Sequence, residues 1–318
     1  MGRKEYYKIM EEAMRYVLEN ETLRVEIDSF GAEIKSIQRK SDGMEYMWQA
    51  DPKYWGRTSP VLFPFVGVPK NKEYSYEGKT YSMGQHGFAR DMEFTCESAL
   101  PEENETGCVH IKDANNVWFA LDSNDETYGK YPFRFRLHIG YELTGNQVKV
   151  SWRVKNIDGK PMYFSIGAHP AFRCPIHGEA DKYGYGLHFA GRTSHIHHHG
   201  NTPDGLAVMD DKILPLEDGK VVFTPGFFDE CTYMVEGKQT GEVSLLDKEG
   251  QAYVTMNFDT PLFAVWSPEG KEAPFVCIEP WYGRCDAVDF EGSLAERAYE
   301  NAIAAGGKFE ASYEMRFF

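Results

Sequence analysis

Residues 133–154, FRFRLHIGYELTGNQVKVSWRV, put Phe133, Phe135, Leu137 and Ile139 at every second position, then Val148, Val150, Trp152 and Val154 at every second position again. Side chains of an extended chain alternate between two faces, so each run is a strand with one buried face. The break between them, Thr144-Gly145-Asn146-Gln147, carries residues that tolerate the positive φ of a tight hairpin. The segment reads as an antiparallel pair.

The same alternation recurs outward in both directions. It is present at Leu23, Val25 and Ile27, at Ile34 and Ile37 after the Gly31 turn, and at Phe309, Ala311, Tyr313, Met315 and Phe317. Shorter strands are expected at 163–166, 221–223, 243–246, 254–258, 263–266 and 275–278. Asn156-Ile157-Asp158-Gly159 and Asp247-Lys248-Glu249-Gly250 read as two more hairpin turns. Only residues 4–15 and the alanine-rich residues 293–305 look helical. Many strands, few helices and no βαβ rhythm predict an all-β fold, an antiparallel sandwich or barrel. With no repeat, linker or composition break, residues 16–318 form one expected domain behind an N-terminal extension at 1–15.

Composition narrows the partners. The 318 residues are 42% hydrophobic and 26% charged, with 19 Tyr, 21 Phe and 6 Trp, enough for a sizeable core. A net charge of −15 disfavours nucleic acid and anionic membranes, which call for a basic footprint. The six cysteines follow no metal or disulfide spacing, which suggests free buried thiols in a reducing compartment. The charged N-terminus has no apolar core and no 18-residue apolar run occurs, so a soluble cytoplasmic protein is expected.

Three stretches break the strand pattern with residues that packing does not require: 85–90, QHGFAR; 167–172, GAHPAF; and 277–283, CIEPWYG. Each sets an ionisable residue beside glycine, proline or aromatics, the composition of a pocket lining. His169 at the end of an apolar strand could instead bond a backbone carbonyl, and Glu279 could pair with Arg284. A carboxylate after an apolar run is expensive to bury unless paired or used.

Together with Leu62-Phe63-Pro64-Phe65-Val66-Gly67, His86-Gly87-Phe88-Ala89-Arg90 and Glu279-Pro280-Trp281-Tyr282-Gly283, in that order, the chain resembles the aldose 1-epimerase (galactose mutarotase) family, in its LacX-like branch. The resemblance covers most of residues 16–318. It implies a large galactose-mutarotase-like β-sandwich with its site in a cleft on one sheet. It further implies that His169 is the general acid, Glu279 the general base, and His86 a sugar-positioning residue. The family also places an acidic residue near the sugar in the stretch Phe227-Phe228-Asp229-Glu230, where Asp229 or Glu230 would serve. Where relatives often carry an arginine after the Phe-Pro-x-x-Gly segment, this chain has Val68-Pro69-Lys70.

The chemistry suits these residue types. Opening an aldose ring takes a proton from the C1 hydroxyl and delivers one to the ring oxygen; rotation and the reverse transfers give the other anomer. A histidine near pKa 6.5 and a glutamate near 4.3 can exchange those protons, with no metal or organic cofactor required. Arg57 and Arg90 could bind sugar hydroxyls or a phosphate, or simply pair with acids. Their convergence with Lys70 at one end of the pocket would point to a hexose 6-phosphate over a free hexose. Two other classes stay open: a noncatalytic carbohydrate-binding sandwich, using Trp281 and Tyr282 as stacking surfaces, and a cupin-like metal enzyme. The histidines at 195 and 197–199 read as a solvated, glycine-bounded loop, not a metal centre. Oligomeric state has no sequence signature here.

Overall fold

In the computed structural model, which describes residues 14–98, 108–111, 114–230 and 232–318, the 133–154 hairpin forms the sixth and seventh strands of a nine-stranded sheet. Phe135–Thr144 and Gln147–Asn156 pair without slippage from Phe135↔Asn156 to Thr144↔Gln147. Gly145 takes φ +56° in the two-residue turn, where a Cβ would be strained. The C-terminal strand Lys308–Phe317 inserts between this hairpin and Ala252–Phe258, so the end of the chain completes the sheet's centre.

A second sheet of eight strands is built around Phe275–Tyr282, which pairs with Leu262–Trp266 on one side and with Ile166–Ala168 and Ala171–Arg173 on the other. Val150, Trp152 and Val154 of the first sheet share one continuous core with Val265, Val276 and Ile278 of the second. Burying each such side chain contributes roughly 1.5–3 kcal/mol. A four-stranded sheet of residues 15–39 and 108–110 contains the one parallel pairing among the described strands, Arg15–Glu19 with Cys108–His110. The architecture is the expected antiparallel β-sandwich, not a barrel.

Alternation in Phe275–Tyr282 has a functional consequence. Val276 and Ile278 enter the core between the sheets, whereas Phe275, Cys277 and Trp281 join the smaller clusters on the opposite face, where Glu279 lines a pocket. The catalytic candidates lie on that face.

Several expectations need correction. Residues 293–305 are not a helix: they form a single 3-10 turn, Leu294–Glu296, and a strand, Asn301–Ile303, paired with Met162–Phe164. Arg297 explains why. Its side chain, with no exposed surface, bonds Asp286 (2.7 Å) and Glu300 (3.1 Å), and this buried ion cluster overrides alanine's helix preference. Residues 156–159 connect strands of different sheets instead of forming a hairpin. The histidine run is a strand, His195–Asn201, whose His197 Nδ1 meets Asp211 Oδ1 at 2.8 Å. Of the helix expected at 4–15, residues 4–13 lie outside the described residues, and Arg15 already begins a strand. No helix among the described residues is long and apolar enough to cross a membrane. The described cysteines are free thiols, with Cys174, Cys277 and Cys285 buried.

Candidate active site

A pocket of about 360 Å³ opens on the outer face of the eight-stranded sheet. That is within the range of small-molecule sites. Its lining includes the buried His86, His169, Glu279 and Trp281, with the exposed Gln85, Asp204 and Glu269 nearer solvent.

Glu279 sits mid-strand opposite Ala264, only 1% exposed. His169 occupies the break between Ile166–Ala168 and Ala171–Arg173, which brings its ring over the neighbouring strand. Its Nε2 lies 3.3 Å from Glu279 Oε2. Trp55 stacks on the imidazole (centroids 4.7 Å apart, planes at 27°), and Trp266 meets it edge-on at 5.3 Å. Aromatic packing thereby holds His169 against a carboxylate 110 positions further along the chain.

His86 is fixed by its own backbone. It adopts φ +65°, its N–H donates to the Gly67 carbonyl (2.8 Å), and the Gly67 N–H donates to His86 Nδ1 (3.1 Å). With Nδ1 accepting, the neutral ring carries its proton on Nε2, a donor available to a ligand. Gly67 is indispensable to this clamp: at φ +69°, a Cβ there would stand 2.4 Å from Cys285 Cβ.

The electrostatics disfavour charge on the pair. Burial pushes Glu279 well above the usual carboxylate range, with Trp281 opposing the shift. Burial, with the Arg90 guanidinium adding to it, pushes His169 down to about 3. His86 is likewise held well below 6.5 by burial and Arg90. A proton held by the pair therefore resides on Glu279, and His169 is neutral.

The remaining sequence candidates divide. Arg90 lines the pocket, its Nη2 donating to the Gln85 carbonyl at 2.7 Å. Arg57 is turned toward Asp91 (2.6 Å) and a neighbouring cleft, and its field acts on both histidines. Lys70 is held by the Phe290 carbonyl and Glu291, outside the lining, so the three cations do not converge. Asp229 also lies outside it; its Oδ1 accepts from Gly270 N–H (3.0 Å), steadying the loop that carries Glu269. The acids that do line the wall, Asp204 and Glu269, come from loops that carry no periodic signal.

Behind the pocket, Asp286 ties its walls together. It accepts from Arg297 Nε and from Lys70 N–H (2.8 Å), while its backbone bonds Val68 and Ala207. Spacing alone could not have found this role.

A family model described as aldose 1-epimerase matches residues 14–292. Protein LacX (chromosomal) of Lactococcus lactis subsp. lactis is 32% identical over 292 residues, spanning 89% of this chain and 92% of that protein. Among solved structures, a galactose mutarotase related enzyme from Lactobacillus acidophilus superposes with TM-score 0.84 at 32% identity, covering 96% of this chain and 97% of that one. A galactose mutarotase-like protein from Lactobacillus casei ATCC 334 gives TM-score 0.85 at 29% identity, covering 96% and 100%.

Proposed function

The chain belongs to the aldose 1-epimerase family, and from that premise we propose that it interconverts the α and β anomers of a free aldohexose by acid–base ring opening and closure. The observation that carries the proposal is the buried His169–Glu279 contact of 3.3 Å on the floor of a sugar-sized pocket. The hydroxyl and ring oxygens of a hemiacetal share one carbon, so the acid and base that serve them must be near neighbours.

In the proposed cycle Glu279 takes the C1 hydroxyl proton as His169 delivers one to the ring oxygen, and closure on the other face of the carbonyl reverses both transfers. The bound closed sugar faces an imidazolium and a carboxylate; the open sugar faces neutral His169 and protonated Glu279. Burial disfavours the first state and favours the second, so the pocket spends its desolvation on the step that breaks the ring. His86 Nε2–H is oriented to donate to a sugar hydroxyl, and Trp281 and Trp55 offer apolar surface to the ring.

A noncatalytic binding module would need the aromatic walls alone. It gives no reason to bury a carboxylate against an imidazole, a placement that costs several kcal/mol when either group is charged. A hexose 6-phosphate is disfavoured because Arg90 is the one of the three candidate cations in the lining. The test is polarimetry of freshly dissolved α-D-glucose, α-D-galactose and their 6-phosphates. The proposal expects enzyme-dependent acceleration with a free sugar; no acceleration over buffer on any aldose or aldose phosphate overturns it.

A further inference from the structure

Cys277 has no part in ring opening, yet it sits two residues before Glu279 on the same face of Phe275–Tyr282, fully buried. Its Sγ, a ring nitrogen of His169 and a carboxylate oxygen of Glu279 all lie within 4.8 Å of one another, the one such group of potential metal ligands among the described residues. The geometry is close to that of a bound ion. Zinc bonds to nitrogen and oxygen are about 2.0–2.2 Å long, which makes the edge of a tetrahedron about 3.3 Å; His169 Nε2 and Glu279 Oε2 are 3.3 Å apart. A sulfur bond of about 2.3 Å puts the thiolate about 3.6 Å from the other two ligands, so Cys277 would close in by roughly an ångström at most.

Two further observations point to a ligand. Glu279 Oε2, the oxygen facing His169 Nε2, is buried without a hydrogen-bond partner. Such atoms are rare, and each calls for an explanation. The charges also balance: a divalent cation, one thiolate, one carboxylate and a neutral imidazole sum to zero, which avoids the cost of a net buried charge.

We propose that His169, Cys277 and Glu279 form a binding site for a thiophilic divalent cation, Zn²⁺ being the reference ion, and that occupation of this site switches the enzyme off. The inhibitory half rests on reading His169 and Glu279 as the acid and base; the binding half does not. On binding, the Cys277 Sγ–H proton leaves to solvent, any proton on Glu279 follows it, and sulfur, nitrogen and oxygen each donate a lone pair to the metal, with no change of oxidation state. His169 and Glu279 line the pocket, and water from it completes the fourth position. Both proton-transfer groups are then occupied. The thiolate makes the site selective for Zn²⁺ over Mg²⁺ and Ca²⁺, which prefer all-oxygen shells.

The test begins with Co²⁺ added to the whole, metal-stripped protein. A thiolate-to-cobalt charge-transfer band in the near ultraviolet that saturates at one equivalent and is displaced by Zn²⁺ is the expected result. Cys277→Ala abolishes that band, and Glu279→Gln, nearly isosteric and independent of the thiol, weakens Co²⁺ and Zn²⁺ affinity by about 10-fold or more. In mutarotation assays, each rate referred to the same protein without metal, Cys277→Ala raises the Zn²⁺ concentration for half-inhibition by about 10-fold or more. The absence of any thiolate band, or a band of equal strength in Cys277→Ala, overturns the site. A site that binds Zn²⁺ stoichiometrically while mutarotation continues at full rate overturns the switch. A protein that shows the band but no mutarotation with or without metal retains the cation site and fails the epimerase reading instead.

Discussion

Replacing Glu279 by glutamine separates chemistry from folding. A positioned acid or base contributes about 10²–10⁴ in rate, or roughly 3–5 kcal/mol at 1.36 kcal/mol per decade, and glutamine cannot accept the C1 hydroxyl proton. Stability should move the other way. Glu279 is 1% exposed, and burial raises its pKa in the folded state. A carboxyl raised in this way stabilises the fold fully below its unfolded pKa and loses that contribution as pH climbs through the raised value, about 1.4 kcal/mol per unit. Glutamine has nearly the same shape and never ionises, so at pH 8 the variant equals or exceeds wild type in stability, and its relative advantage shrinks toward pH 5. The assay pairs polarimetric initial rates, with enzyme raised a thousandfold for the variant, with thermal denaturation at both pH values. A variant that keeps more than about a tenth of the wild-type rate, or one melting about ten degrees lower at pH 8, refutes the reasoning.

The pair also sets a pH profile. With His169 near 3, kcat/KM should stay flat from neutrality to well below pH 6, and the first loss should come on the alkaline side as the shared proton leaves; an acid limb with its midpoint near 6.5 would contradict the buried-pair description. Gly67→Ala puts a Cβ 2.4 Å from Cys285 and displaces the donor to His86 Nδ1, so kcat/KM should fall about 10²-fold with the circular-dichroism spectrum unchanged; full activity would show the clamp to be dispensable. Glu300 is pushed up to about 7 by burial, with Arg297 and Ser165 opposing. Its contribution is therefore complete below pH 4.5 and lost as pH rises through 7, a span of roughly 3 kcal/mol. Glu300→Gln should flatten the stability curve between pH 5 and 8, and an unchanged slope in denaturant titrations would exclude Glu300 as its source.

The parts of the molecule legible from sequence are those where one physical rule acts alone. The 135–156 hairpin obeys period-2 burial and turn chemistry, and nothing competes with them. His86, His169 and Glu279 stand out because each interrupts an apolar or glycine-rich context, and all three meet in one pocket. Where rules compete, the reading fails. Residues 293–305 have helical composition, but Arg297 is claimed by Asp286 and Glu300. His195–Asn201 does alternate, with Ile196 and His198 turned inward, yet its polarity conceals the period. The wall acids Asp204 and Glu269 are positioned by loops, as Asp229 shows by holding Gly270 in place of lining the pocket. The low pKa of His169 is the sharpest case: an isolated imidazole titrates near 6.5, and burial among Trp55 and Trp266, with Arg90 and Arg57 adding to it, turns it into a group that resists protonation.

The central claim is that the imidazole and carboxylate in contact at the pocket floor open and close a sugar ring. Exchange NMR on an aldose carrying ¹³C at C1 tests it at equilibrium, where the anomers interconvert with no net change in their populations. Wild-type protein should produce an exchange cross-peak between the α and β C1 resonances that vanishes in Glu279→Gln. Sugar that binds, detected by saturation transfer, but shows no enzyme-dependent cross-peak would contradict the account.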